Sequence, residues 1–251
     1  MGQGFLRTAG LVVAAGAVVV VLAVLVVNRV VWRGRDVLDR RLLLEYCDIM
    51  ESRYGQKWAV TNWVQRVDVQ SNGDVRQRIS FSIVVLCDFL DFCTFHDAIN
   101  WAWPRRYQRR VKAHVRSVEV GGEGGTRFDF TSSWLDLRRL RMVVHLNQAA
   151  PRGSEVHFSV DLFWPAKCRP LMRGRGPDSF LVSFAEPVPF AQYVITLPVG
   201  ERASFDRIGA SQGAGEHALV SAVNASGQFE ITLTVRDVPA YQKFGVRLDL
   251  A

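Results

Sequence analysis

From Leu11 to Val27 the chain runs LVVAAGAVVVVLAVLVV, and no charged or amide side chain interrupts residues 8–27. At 1.5 Å rise per residue, a helix of that length covers the roughly 30 Å of a bilayer's hydrocarbon. Lipid leaves the backbone to satisfy its own N–H and C=O groups, so even a run of valines is expected to be helical there. The sequence therefore predicts a short tail, 1–8, and an uncleaved single-pass transmembrane helix, 9–32. A secretory signal peptide would instead have a shorter apolar run and a small-residue cleavage site. Arg29, Arg33, Arg35, Arg40 and Arg41 follow the run, against Arg7 before it. The retention of basic flanks on the inner side places the bulk of the chain in the cytoplasm, with an extracytoplasmic domain as the alternative.

Over 33–56, Leu38, Leu42, Ile49 and Met50 recur among good helix formers, and Gly55 is a suitable stop. This is the pattern of an amphipathic juxtamembrane helix. It could pack on the β-rich remainder of the chain, or self-associate together with the anchor to make a homo-oligomer. Beyond Gln56 the period becomes two. Trp63, Gln65, Val67 and Val69 lead to Asn72-Gly73, and Val75, Gln77, Ile79, Phe81, Ile83 and Val85 then alternate with Arg76, Arg78, Ser80 and Ser82. Asn-Gly supplies the positive φ angles of a tight turn, so this is a β-hairpin with one buried face.

Further strand-like runs follow at short intervals, from Val111–Val120 to Phe244–Leu250, separated by turn clusters such as GGEGG at Gly121 and NASG at Asn224. The expected fold is mostly β, an antiparallel sandwich-like module. One helix is expected inside it, Asp97 to Trp103, ending at Pro104. Charge divides the module. Residues 32–175 hold 24 Lys and Arg against 16 Asp and Glu, whereas 176–251 hold 5 against 8. A basic β domain, 57–175, and an acidic subdomain, 176–251, would meet in the loop Arg173–Ser179; one larger sandwich fits almost as well. Only 4 of the 31 basic residues are Lys, an arginine bias that accompanies GC-rich bacterial genomes.

The stretch NWAWPRRYQRRVKAHVR, Asn100 to Arg116, is the most distinctive after the anchor. Trp101, Trp103 and Tyr107 precede or interleave with Arg105, Arg106, Arg109, Arg110, Lys112 and Arg116, and no acidic residue interrupts them. Guanidinium groups pair with phosphate through two hydrogen bonds, and aromatic rings stack on bases or sit at wet interfaces. The stretch therefore suits an anionic lipid headgroup, a nucleotide or nucleic acid. It could equally be a core corner of tryptophans beside an edge strand kept soluble by arginine. A second cluster, Lys167, Arg169, Arg173 and Arg175, would enlarge a basic face if it folded beside the first.

Cys87, Asp88, Asp91, Cys93 and His96 are the one compact set of potential metal ligands, but their spacing is not that of a zinc site. Four cysteines, Cys47, Cys87, Cys93 and Cys168, are too few for a disulfide scaffold. No nucleophile elbow, zincin helix or phosphate-cradling loop occurs. The expectation is a membrane-anchored binding, sensing or scaffold module, without metal or cofactor and not an enzyme, meeting the bilayer and a protein partner. The alternative is a receptor for an anionic ligand at residues 100–116, and a third reading is an enzyme built from residues that the fold brings together.

Overall fold

The computed structural model describes residues 55–122, 124–174, 176–209 and 217–250, together with 22, 24–27, 29, 38–43, 45–47 and 49. Two units separate, Met1–Ile49 and Met50–Ala251.

The second unit holds thirteen strands: β1 Trp58–Val69, β2 Val75–Val85, β3 Phe89–Ala98, β4 Lys112–Val120, β5 Phe128–Trp134, β6 Arg139–Pro151, β7 Glu155–Trp164, β8 Asp178–Val182, β9 Val188–Thr196, β10 Ala203–Ile208, β11 His217–Val223, β12 Phe229–Val238 and β13 Phe244–Leu250. Seven form one sheet in the order β11-β12-β9-β1-β2-β7-β4, and two three-stranded sheets run β10-β13-β8 and β3-β6-β5. The hairpin forms as its alternation demands. Val69 registers with Val75 across the turn, Gly73 takes φ +86°, and Val75, Ile79, Phe81, Ile83 and Val85 are buried while Arg76 and Arg78 are exposed.

One face of the large sheet is covered by both small ones. Phe81 on β2 meets Phe95 on β3 with ring centroids 5.3 Å apart, and Trp164 on β7 meets Trp134 on β5 at 5.8 Å. At the other end, Phe180 on β8 meets Tyr193 on β9 at 6.4 Å, and Phe205 on β10 meets Phe229 on β12 at 6.3 Å. A single apolar core results, with side chains from all three sheets.

Several expectations change. The single-pass anchor is corrected: among the described residues no helix is long and apolar enough to cross a membrane, so the transmembrane, signal-anchor and single-pass reading is without support. The described residues within 9–32, namely 22, 24–27 and 29, are helical. The tail 1–8 and most of 9–32 lie outside the described residues, and the helix criterion says nothing of β-barrels. Within 33–56, residues 38–43 and 45–47 are helical, with an exposed Arg41–Glu45 pair at 2.9 Å.

The sheets are not wholly antiparallel, because β9 runs parallel to β1, from Asn62 beside Phe190 to Asp68 beside Thr196. That pairing also puts strands from both sides of residue 175 into one sheet. The helix expected at Asp97–Trp103 is absent: Asp97 and Ala98 end β3, residues 99–104 are irregular, and a 3-10 turn, Arg105–Arg110, follows Pro104. Proline here opens a turn instead of closing a helix, at φ −64° and ψ 130°. Strands β3 and β10 are additional to the runs that alternation marks.

Candidate functional site

The loop from Ile99 to Pro104 leaves β3 and is fixed by side-chain hydrogen bonds before the basic residues begin. Trp101 Nε1 donates to the carbonyl of Lys167 at 2.8 Å, and Trp103 Nε1 donates to the carbonyl of Pro165 at 2.9 Å. Trp103 is 4% exposed, packed against Tyr107, Trp134 and Trp164, while Trp101 is half-buried. Both indoles thus anchor the loop.

The turn beyond Pro104 carries its charge outward. Arg105, Arg106, Arg109 and Arg110 are exposed, and none forms an ion pair among the described residues. Gln108 Nε2 clamps the turn by donating to the carbonyls of Asp136 and Leu137, at 3.3 and 3.2 Å. Tyr107 is half-buried at the centre, with the guanidinium carbons of Arg106 and Arg110 at 5.2 and 5.8 Å from its ring. Arg169 Nη1 donates to its phenol oxygen at 3.3 Å. Hydrogen bonding from Arg106, more than the charge of Arg106 and Arg169, holds the Tyr107 phenol below its ordinary value. The first and second basic clusters therefore meet at Tyr107. Lys112 and Arg116 lie farther along, exposed on β4, where Arg116 approaches Asp161 at 3.5 Å.

Lys167, from the second cluster, turns inward. Its Nζ donates to Asp97 Oδ2 at 2.8 Å and to Gln77 Oε1 at 3.0 Å, and lies 4.7 Å from the Trp164 ring centroid. Beside it is a cavity of about 190 Å³ lined by Asn100, Cys168, Asp178 and Tyr193 among others. Asp178 Oδ1 accepts from Asn100 Nδ2 at 3.0 Å and from the Ser179 amide at 2.8 Å. Burial nevertheless pushes the Asp178 carboxyl up, and it raises the Cys168 thiol and Tyr193 phenol well above their usual ranges. Tyr193 Oη accepts from Gln65 Nε2 at 3.1 Å. Through Asp178, Asn100 ties the loop that presents the arginines to β8.

A second basic surface was missed by sequence reasoning. On the uncovered face of the large sheet, register aligns Asp68, Arg76, Phe163 and Lys112 in one row, and Arg66, Arg78, Asp161 and His114 in the next. They line an open groove of about 670 Å³. The sequence signal was the outward alternation of Arg76 and Arg78, but the other residues come from three further strands.

The potential metal ligands do not converge. Cys93 is buried on one face of β3 and His96 exposed on the other, while Cys87 Sγ donates to the Phe89 carbonyl at 3.2 Å. Among the described residues no three His, Cys, Asp or Glu side chains gather. Ser82 Oγ lies 3.1 Å from His157 Nδ1, yet among the described residues His157 makes no hydrogen bond to Glu119, its register neighbour on β4. Among the described residues no carboxylate is hydrogen-bonded to this imidazole.

No family model matches the chain, and no curated protein does. Among solved structures it is similar to a protein from Parabacteroides distasonis to which protease activity has been ascribed, at 12% identity and a TM-score of 0.53 over 77% of this chain. The M1 zinc metallopeptidase from Deinococcus radiodurans is similar at 12% identity and a TM-score of 0.46 over 78%. The chain spans 40% and 43% of those two proteins. At such identity the Parabacteroides likeness carries the fold alone, an arrangement of β-sheets found as part of a larger chain.

Proposed function

We propose that this chain is a non-catalytic binding module that holds an anionic partner against the turn Arg105–Arg110 and the adjoining Arg169. One observation carries the reading: among the described residues, four arginines stand exposed and without ion pairs on a turn that Trp101, Trp103 and Gln108 fix in place. A guanidinium held this way loses little freedom on binding and presents paired donors to phosphate or carboxylate. Trp101 and Trp103 spend their indole N–H groups on backbone carbonyls, so contact runs through the arginines and Tyr107 and the tryptophans act as positioning residues.

The test is binding of inorganic polyphosphate to the full chain as a function of salt. Affinity should fall linearly with salt on logarithmic axes, as counterions are displaced. Replacing Arg105, Arg106, Arg109 and Arg110 by Glu should weaken binding at least about ten-fold with the melting temperature unchanged. Binding as tight in this variant as in the parent, or binding that ignores salt, sinks the proposal.

A further inference from the structure

The groove on the open sheet face has its own side chains and a different composition from the turn. Its cations are Arg66, Arg76, Arg78 and Lys112 against two acids, Asp68 and Asp161. Asp161 is already neutralised, by Arg78 at 2.9 Å and Arg116 at 3.5 Å. Arg66, Arg76 and Lys112 form no ion pair among the described residues, so the groove keeps an uncompensated positive charge. Phe163 lies in the middle of it, half-exposed, with Arg76 on one neighbouring strand and Lys112 on the other. Adjacent strands lie about 4.8 Å apart, so a cationic residue flanks the ring on each side. In the next rows on β2 and β7 the neighbours are Ser80, Ser82 and Ser159. Charge and aromatic area thus coincide in the groove.

We infer that this groove binds a nucleotide, free or within a single strand, with the base stacked on Phe163 and phosphate held by Arg76, Lys112 and Arg66. A pure polyanion would need no aromatic ring at the centre, and an apolar ligand would need no flanking cations. Stacking on a π-face tolerates any base, so selectivity among bases is not expected. The inference goes beyond the reading of the turn, from which it differs in every residue named.

The experiment measures binding of the full chain to ATP by equilibrium dialysis and to fluorescein-labelled oligothymidylate by anisotropy, with inorganic tripolyphosphate as the charge-only probe. Phe163→Ala should weaken ATP and oligothymidylate at least about five-fold while leaving tripolyphosphate unchanged, and Phe163→Tyr should retain binding. Arg76→Glu with Lys112→Glu should abolish binding of ATP and oligothymidylate, and of tripolyphosphate when Arg105, Arg106, Arg109 and Arg110 are Glu as well. Because these side chains face solvent, the variants should melt with the parent. The variant with Glu at Arg105, Arg106, Arg109 and Arg110 should bind ATP as the parent does. ATP and oligothymidylate both dependent on Phe163 support either source; dependence for oligothymidylate alone identifies the single strand, and for ATP alone the free nucleotide. Absence of nucleotide binding, or binding indifferent to Phe163, overturns the inference. Binding lost only in the turn variant overturns it too, while leaving the reading of the turn intact.

Discussion

Removing Asp97 should unfold this protein more readily than almost any other single change to a charged residue. The Lys167 and Asp97 side chains are only 12% and 14% exposed. In Asp97→Ala the ammonium would keep one hydrogen-bond acceptor, Gln77 Oε1, and the face of Trp164. Deleting one partner of a buried ion pair costs about 3–5 kcal/mol, since the other charge stays desolvated and uncompensated. In a domain of this size each kcal/mol moves the melting temperature by about 2–4 °C, so the expected drop is about 6–20 °C. Urea and thermal unfolding followed by far-UV circular dichroism would measure it. The companion variant, Asp97→Leu with Lys167→Met, replaces the pair by apolar groups and should lie within about 1 kcal/mol of the parent. The Lys167 carbonyl also accepts the Trp101 indole, so the single variant should weaken polyphosphate binding where the double one does not. A single variant within about 1 kcal/mol of the parent, or a double variant as unstable as the single, would refute the reasoning.

Gly73→Ala should cost about 2 kcal/mol or more, because the residue sits at φ +86° and a Cβ would come 2.7 Å from the Arg169 Cα; chemical denaturation reads the loss. Asp178 has its carboxyl raised above 3.8 by burial, so the stability it contributes is full below 3.8 and is lost as pH rises through the folded value. Asp178→Asn, whose amide oxygen can still accept from Asn100 and Ser179, should remove that loss and gain stability at neutral pH, with parent and variant converging in acid. A variant less stable than the parent at neutral pH would contradict this. Asp136 is held down to about 2 by the Arg138 amide, and then by the Arg139 side chain and amide, so its contribution is present above 3.8 and fades as pH falls through about 2. Asp136→Asn should flatten that acid limb in a pH series of melts. Strand β11 is a sheet edge in which Val220 is 58% exposed and no residue of Ala218–Val223 is charged; Val220→Lys should reduce association on concentration, seen by light scattering, without lowering the melting temperature.

Much of the sheet structure was legible because alternation reports burial directly. The hairpin at Asn72-Gly73 is set by turn chemistry, and the runs Glu155–Trp164, His217–Val223 and Phe244–Leu250 coincide with β7, β11 and β13. Strand β3 escaped because a register shift between Leu90 and Phe92 breaks its period, and its Cys, Asp and His residues look like ligands. Alternation says which face a side chain takes and nothing of which strand lies beside it, so the parallel β1–β9 pair was invisible. For the same reason the groove at Phe163 could not be read, whereas Arg105–Arg110 could, being contiguous. The meeting of Tyr107 with Arg169 required the fold.

The parallel pairing of β1 with β9 constrains the order in which the protein can be completed during synthesis. β1 and β2 can close as soon as both have emerged, and β7 can add to β2 and β4 to β7 without the chain beyond residue 165. The opposite edge of β1, Asn62 to Asp68, must wait for Phe190 to Thr196. At about 5–20 residues per second that interval lasts seconds, with the central strand of the final sheet exposing an open row of N–H and C=O groups. A nascent chain stalled there, or truncated before residue 188, presents the same sticky edge permanently. The acidic C-terminal third, which supplies β9, β12 and β11, therefore acts as the closing piece that protects the basic part from its own kind.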